Sequence, residues 1–120
     1  MQVFIVGAGP GDPELITVKG QRLLKKADVI IYAGSLVNPA ILNVAKAGAE
    51  IFNSASMTLP EVIEKIDESV RQGKLVVRLH TGDPAIYGAI QEQMDAWKKR
   101  GFEYDVVPGV SSFLGTAAAL

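Results

Sequence analysis

The sequence predicts an α/β domain with a five-stranded, mostly parallel sheet flanked by helices. Three observations carry this. Five short runs of apolar and β-branched residues recur along the 120 residues, and segments with apolar residues at helical intervals separate them. Glycine, proline and small hydroxyl residues gather where the strands end. Parallel neighbours need crossover connections, and the crossing helices then cover both faces of the sheet.

The first strand is Val3-Phe4-Ile5-Val6, uninterrupted and apolar, and it runs into Gly7-Ala8-Gly9-Pro10-Gly11-Asp12, which no strand or helix interior tolerates. Asp12 reads as a helix N-cap with Pro13 at the first helical position. Leu15, Ile16, Val18, Leu23 and Leu24 supply an apolar face that ends at Lys25-Lys26. Val29 to Tyr32 is the second strand. After Ala33-Gly34-Ser35, Asn38-Pro39 starts a shorter helix carrying Ile41, Leu42, Val44 and Ala45, closed by Gly48 before a brief strand at Glu50-Ile51-Phe52.

Thr58-Leu59-Pro60-Glu61 has the spacing of a capping box, with Val62, Ile63, Ile66 and Val70 following at helical intervals until Gly73. Leu75 to Leu79 is the fourth strand, interrupted by Thr81-Gly82-Asp83-Pro84. Ile86, Ile90, Met94 and Trp97 mark a long helix whose last turn, Lys98-Lys99-Arg100, carries positive charge where the helix dipole favours it. Tyr104 to Val107 is the fifth strand and meets Pro108-Gly109. Ser111 or Ser112 caps a last apolar segment, Phe113 to Leu120, which has no polar face or terminating signal. The chain is therefore expected to be the amino-terminal half of something larger.

Composition narrows the chemistry. The hydrophobic share of 48% and charged share of 21% are those of an ordinary globular protein. Area scaling gives roughly 6,300 Å² exposed when folded against about 18,600 Å² unfolded, enough for one sizeable core. The net charge of -1 gives no bias toward nucleic acid or anionic membrane, and neither is expected as a partner. Zero cysteines exclude disulfides, iron–sulfur clusters, thiolate zinc and a cysteine nucleophile; a single histidine excludes a multi-histidine metal site. No run is long enough to span a membrane, and Gln2 to Ala8 lacks the flank and cleavage pattern of a signal peptide, so a cytoplasmic location is expected.

Every strand-to-helix loop of a parallel sheet leaves its carboxyl edge, where such folds bind ligands. Here these are Gly7 to Asp12, Ala33 to Asn38, Asn53 to Met57, Thr81 to Pro84 and Pro108 to Ser112. Tight turns need such residues anyway, yet five distinctive loops on one edge favour a binding crevice. The first loop invites a dinucleotide reading and fails it. Its third glycine comes one residue early, Asp12 would repel phosphate, no acid follows the second strand to hold a ribose, and the Walker lysine is missing. Asp83 has an N-cap reading beside any functional one. Arg78 and His80, at the end of an apolar strand, need partners if buried, and His80 is read as a satisfied strand-end residue rather than a general base. Met57 and Tyr87 are read as packing residues.

Three loops together resemble the tetrapyrrole methylases: Val-Gly-Ala-Gly-Pro-Gly-Asp (Val6 to Asp12), Gly-Asp-Pro (Gly82 to Pro84) and Val-Pro-Gly-Val-Ser-Ser (Val107 to Ser112). The resemblance covers all 120 residues and corresponds to the family's amino-terminal domain, without its second α/β domain. Within the family, Tyr32 to Pro39, Asn53 to Thr58 and Arg78 to Gly88 look most like the precorrin-4 C-11 methyltransferases. Uroporphyrinogen III methyltransferases carry an aspartate where Ala33 stands here, and the siblings that act on diphthamide or ribosomal RNA have other residues in these loops.

The resemblance implies S-adenosyl-L-methionine as methyl donor, with S-adenosyl-L-homocysteine as product, in a cleft between two domains, and a corrin-type macrocycle above the carboxyl edge. Pro10, Thr81, Gly82, Asp83, Ile86, Ser111 and Ser112 match the family's cofactor-contacting positions; Gly11, Asp12, Ser35 and Arg78 are the candidates for the substrate. No general base and no metal ligand is nominated. The implied reaction is methyl transfer to C-11 of precorrin-4 or cobalt-precorrin-4 in cobalamin synthesis, with these 120 residues inactive alone. Another tetrapyrrole methylase and a nucleotide-binding α/β module remain alternatives. Exposed apolar surface in the last segment favours self-association, so a homodimer is expected.

Overall fold

The structure is a computed structural model, and it describes residues 3–32, 37–80, 95, 97–101 and 103–110. Five strands form one sheet: β1 (Val3–Gly7), β2 (Val29–Tyr32), β3 (Glu50–Asn53), β4 (Val76–His80) and β5 (Tyr104–Val107), in the order β3-β2-β4-β1-β5. Every pairing is parallel. Each strand falls within about a residue of its expected place, because the central apolar runs of β1, β2 and β4 are buried on both faces, while the edge strands β3 and β5 bury alternate residues.

The register levels the strand ends. Gly7 lies opposite His80, Tyr32 opposite Leu79 and Asn53, and Val6 opposite Val107. The carboxyl termini of all five strands therefore share one edge, as the sequence predicts.

Two helices pack on opposite faces. Helix α1 (Val18–Lys26) brings Leu24, and the 3-10 segment Pro39–Val44 brings Ile41, onto the face that presents Val6, Ile30, Val77 and Leu79. Helix α2 (Leu59–Arg71) packs Val62, Ile63 and Ile66 against Val3, Ile5, Ile31 and Val76, joined there by the fully buried Trp97 from the connection between β4 and β5. Trp97 meets the Tyr104 ring at 6.0 Å between centroids. Met57 packs at the margin of the same cluster. Tyr87 and most of the expected long helix lie outside the described residues, as does Phe113 to Leu120; residues 95 and 97–99 are helical.

The capping box of α2 is formed as predicted: the Thr58 hydroxyl accepts from the Glu61 amide and the Glu61 carboxylate accepts from the Thr58 amide. The first helix differs from expectation. Asp12 does cap and Pro13 does lead, but only a 3-10 turn over Pro13–Leu15 follows. The backbone is extended at Ile16, and Thr17 caps a fresh helix by accepting from the Gly20 amide at 3.0 Å. Restarting at Thr17 rotates the helix, so Val18 is 75% exposed instead of lying on the apolar face. The reset lets Gly20 approach β1, where a Cβ would stand 3.0 Å from Val6 Cγ1. The segment after Asn38 is 3-10 rather than α, with its cap and Pro39 as expected.

At the opposite, amino edge, Asp28 ties the connections together. Its carboxylate accepts from the Leu75 amide at 2.8 Å and pairs with Lys46, and these bonds hold it below the usual carboxylate range.

A candidate active site at the carboxyl edge

The strand order marks where a sheet of this kind takes its ligand. From β1 the chain crosses on the α1 face toward β2 on one side, whereas the connection from β4 to β5, on the other side, brings Trp97 onto the opposite face. β1 and β4 are neighbours whose connections depart in opposite directions, the topological switch point at which open α/β sheets bind ligands. The two strands stay joined up to the point of divergence, since the Ala8 amide donates to the His80 carbonyl at 2.6 Å.

The loop from Gly7 to Asp12 needs its glycines for different reasons. Gly9 has φ +79°, and a Cβ there would meet the Leu15 carbonyl oxygen at 2.8 Å. Gly11 has φ +116°, and among the described residues nothing lies within 4 Å of where its Cβ would stand. Only glycine takes such conformations cheaply. Pro10 and Gly11 are half-buried, and the exposed Asp12 carboxylate accepts from the Glu14 amide at 2.9 Å. An anion at this tip opposes phosphate and suits a neutral or cationic ligand.

Two side chains knit neighbouring loops along the edge. Asn38 donates from Nδ2 to the Gly11 carbonyl at 2.8 Å while its Oδ1 accepts from the Ala40 amide at 3.0 Å. The Ser54 hydroxyl donates to the Tyr32 carbonyl at 3.0 Å. The sequence reading missed both bonds, for no local pattern announces a bond across 27 residues; Asn38 showed only its cap signal.

Arg78 and His80 alternate with Val76 on β4 and share its face. Arg78 is buried and donates from a guanidinium nitrogen to the Ile31 carbonyl at 3.3 Å. Burial pushes its pKa down to about 10, so it remains a cation at neutral pH. Burial first, and the neighbouring Arg78 charge second, push His80 down to about 4, which keeps the imidazole uncharged. Its Nε2 is buried without a hydrogen-bond partner. That departs from the expectation of a satisfied strand-end histidine: among the described residues, no group partners this nitrogen.

Of the candidate residues, the structure brings Pro10, Gly11 and Asp12 to one loop at the switch point and sets Arg78 within the adjacent strand. Thr81, Gly82, Asp83, Ile86, Ser111, Ser112 and Ser35 lie outside the described residues. Their sequence neighbours His80 and Val107 end β4 and β5, the two strands that flank β1. Among the described residues, no three His, Asp or Glu side chains gather as a metal site, and no helix is long and apolar enough to cross a membrane.

A cobalt-precorrin-4 C(11)-methyltransferase of Methanocaldococcus jannaschii is 59% identical over 119 residues, covering 99% of this chain and 46% of that protein. The precorrin-4 C(11)-methyltransferase of Pseudomonas aeruginosa is 48% identical over the whole chain and 48% of its own length. The X-ray structure of a cobalamin biosynthetic enzyme, a cobalt precorrin-4 methyltransferase, superposes with a TM-score of 0.94 at 52% identity, over 98% of this chain and 49% of that one. A uroporphyrin-III C-methyl transferase of Thermus thermophilus, complexed with S-adenosyl homocysteine, superposes with a TM-score of 0.82 at 37% identity, over 98% and 48% of the two chains. The chain thus spans about half the length of the curated relatives it matches. The family model of the tetrapyrrole (corrin/porphyrin) methylases matches residues 2–120. A glycine-built loop at a β1/β4 switch point, an acid where a dinucleotide site would need none, and this match over essentially every residue place the chain in the tetrapyrrole methylase family.

Proposed function

We propose that the protein containing these residues transfers a methyl group from S-adenosyl-L-methionine to C-11 of precorrin-4 or cobalt-precorrin-4, a step of cobalamin synthesis. The observation that carries the reading is the switch-point loop: Gly9 and Gly11 bare the backbone, and Asp12 makes the site hostile to phosphate. The relatives of matching chemistry, at 59% and 48% identity, support the same substrate class.

The residues present fit this donor. S-adenosylmethionine carries a cationic sulfonium and a cationic amine and no phosphate, which suits a loop tipped by a carboxylate. The bare backbone at Gly9 and Gly11 admits close approach, and beside the switch point the buried His80 Nε2 has no partner among the described residues. Pro10, Thr81, Gly82, Asp83, Ile86, Ser111 and Ser112 would hold it. When bound, it supplies an already activated methyl group. What remains for the protein is to orient the reactants and exclude water, and positioning alone can contribute roughly 7 to 11 kcal/mol. Gly11, Asp12, Ser35 and Arg78 would serve the macrocycle, Arg78 as a fixed cation for a carboxylate side chain. No general base is assigned, since the macrocycle's own conjugated nitrogen supplies the electrons at C-11.

Residues 1–120 form, in this reading, the amino-terminal domain of a two-domain enzyme whose other domain supplies the second wall of the cofactor cleft. The enzyme works in the cytoplasm as a homodimer, which light scattering on the full-length protein tests.

The deciding experiment incubates the full-length protein with S-adenosylmethionine and either cobalt-precorrin-4 or uroporphyrinogen III. Gain of one methyl group by the former alone, with release of S-adenosylhomocysteine, is expected. Methylation of uroporphyrinogen III instead would move the assignment to another branch of the family.

A further inference from the structure

We propose that Asn38 is a positioning residue for the ligand-binding loop: it fixes the Gly11 peptide, and so the presentation of Pro10 to Asp12, through the bond from its Nδ2 to the Gly11 carbonyl. The inference rests on the functional reading above and adds to it a residue outside the candidate set.

The two halves of the loop are secured differently. Its first half is wedged in place, for Gly9 packs against the Leu15 backbone and the Ala8 amide is tied to His80. Its second half has no such wedge. Among the described residues nothing lies within 4 Å of where a Gly11 side chain would begin, and glycine is the residue with most conformational freedom to lose. The far end of this half is held at Asp12, whose carboxylate and carbonyl accept from the Glu14 and Leu15 amides, and at Gly11 itself the tether is Asn38, which donates to the Gly11 carbonyl at 2.8 Å.

The anchor is itself rigid. Val37 before it is 2% exposed, Pro39 after it has a fixed φ, and Ile41 one turn on is 3% exposed. Oδ1 accepts from the Ala40 amide, and this leaves Nδ2 as the end that faces Gly11. The bond therefore joins the loop after β1 to the loop after β2 across the top of β4, which stands between those strands in the sheet. Asparagine is required because one side chain must accept from a cap amide and donate to a carbonyl. Aspartate and serine cap equally well, but aspartate cannot donate and would set a negative oxygen against the carbonyl, and serine is too short to reach.

The test compares the wild type, Asn38→Asp and Asn38→Ser in the full-length protein. Thermal midpoints are expected to stay within a few degrees because both replacements are good caps. Affinity for S-adenosylhomocysteine is expected to fall about five- to tenfold, the scale of one lost hydrogen bond. The KM for S-adenosylmethionine, through Pro10, and that for the macrocycle, through Gly11 and Asp12, should rise by a similar factor while kcat at saturation holds, and the Gly11 and Asp12 amides of the ligand-free protein should exchange faster. Unchanged affinity and unchanged exchange in both variants would overturn the proposal, as would a loss of stability without any change in KM. Failure of the wild type to bind S-adenosylhomocysteine would reject the methyltransferase reading instead, and the exchange rates at Gly11 and Asp12 would still decide whether the tether exists.

Discussion

The Ala8 amide donates to the His80 carbonyl at 2.6 Å and so carries the β1·β4 ladder one step past Gly7, to the point where the two loops part. The floor of the crevice is thus hydrogen-bonded backbone, fixed before any ligand arrives. What the loops add above it differs in how firmly it is held, and that difference can be measured.

Gly9→Ala should destabilise the full-length protein more than Gly11→Ala. Both positions have positive φ, which costs a residue with a side chain roughly 1 to 3 kcal/mol. Gly9 adds a collision, since the new Cβ would stand 2.8 Å from a backbone oxygen that cannot swing away. Urea unfolding of the two variants checks the order; equal losses would mean that the loop does not pack on Leu15.

Acid should destabilise the protein through His80. In the unfolded chain the imidazole takes up a proton near its ordinary pKa of 6.5, whereas in the folded protein it resists until about 4. Between those values the unfolded state binds more protons, so stability falls as pH falls, by at most about 1.4 kcal/mol per pH unit. Above 6.5 the histidine contributes no pH dependence. His80→Gln, which cannot be protonated, should flatten this part of the profile, and urea midpoints from pH 7 to 4.5 on both proteins measure it. Superimposable profiles would show His80 to be accessible to protons in the folded state.

Asp83→Asn in the full-length protein should weaken S-adenosylhomocysteine binding with little loss of stability. Asparagine is as good an N-cap as aspartate, so any capping role survives, whereas a charge-assisted bond to the ligand does not. Calorimetry and a thermal melt together separate the two. Unchanged affinity with a large fall in midpoint would leave Asp83 a structural cap only.

How much was legible in the sequence depended on how local the cause was. The five β-branched runs and the Thr58–Glu61 box act over a few residues, and they placed the strands and α2 nearly to the residue. Asp12-Pro13 was equally local and gave the right cap, but it does not say how far a helix runs. Thr17, three residues before the Gly20 that packs on Val6, was the overlooked sign of a restart. The site was legible as a set of loops because a parallel sheet sends them all to one edge. Which partners those loops take was not, since the Asn38 and Ser54 bonds depend on strand order, and the sequence leaves β3-β2-β4-β1-β5 undetermined among several arrangements. Strand parity put Arg78 and His80 on one face, but their burial came from the packing above that face.

Amide hydrogen exchange on the full-length protein, with and without S-adenosylhomocysteine, tests the central claim most directly. A cofactor at the β1/β4 switch point should slow exchange at residues 8, 9, 11 and 12, at 80–83 and at 109–112 together, and leave the amino edge around Asp28, Glu50 and Leu75 unchanged. Protection confined to that amino edge, or no protection at the three carboxyl-edge loops under saturating ligand, would contradict it.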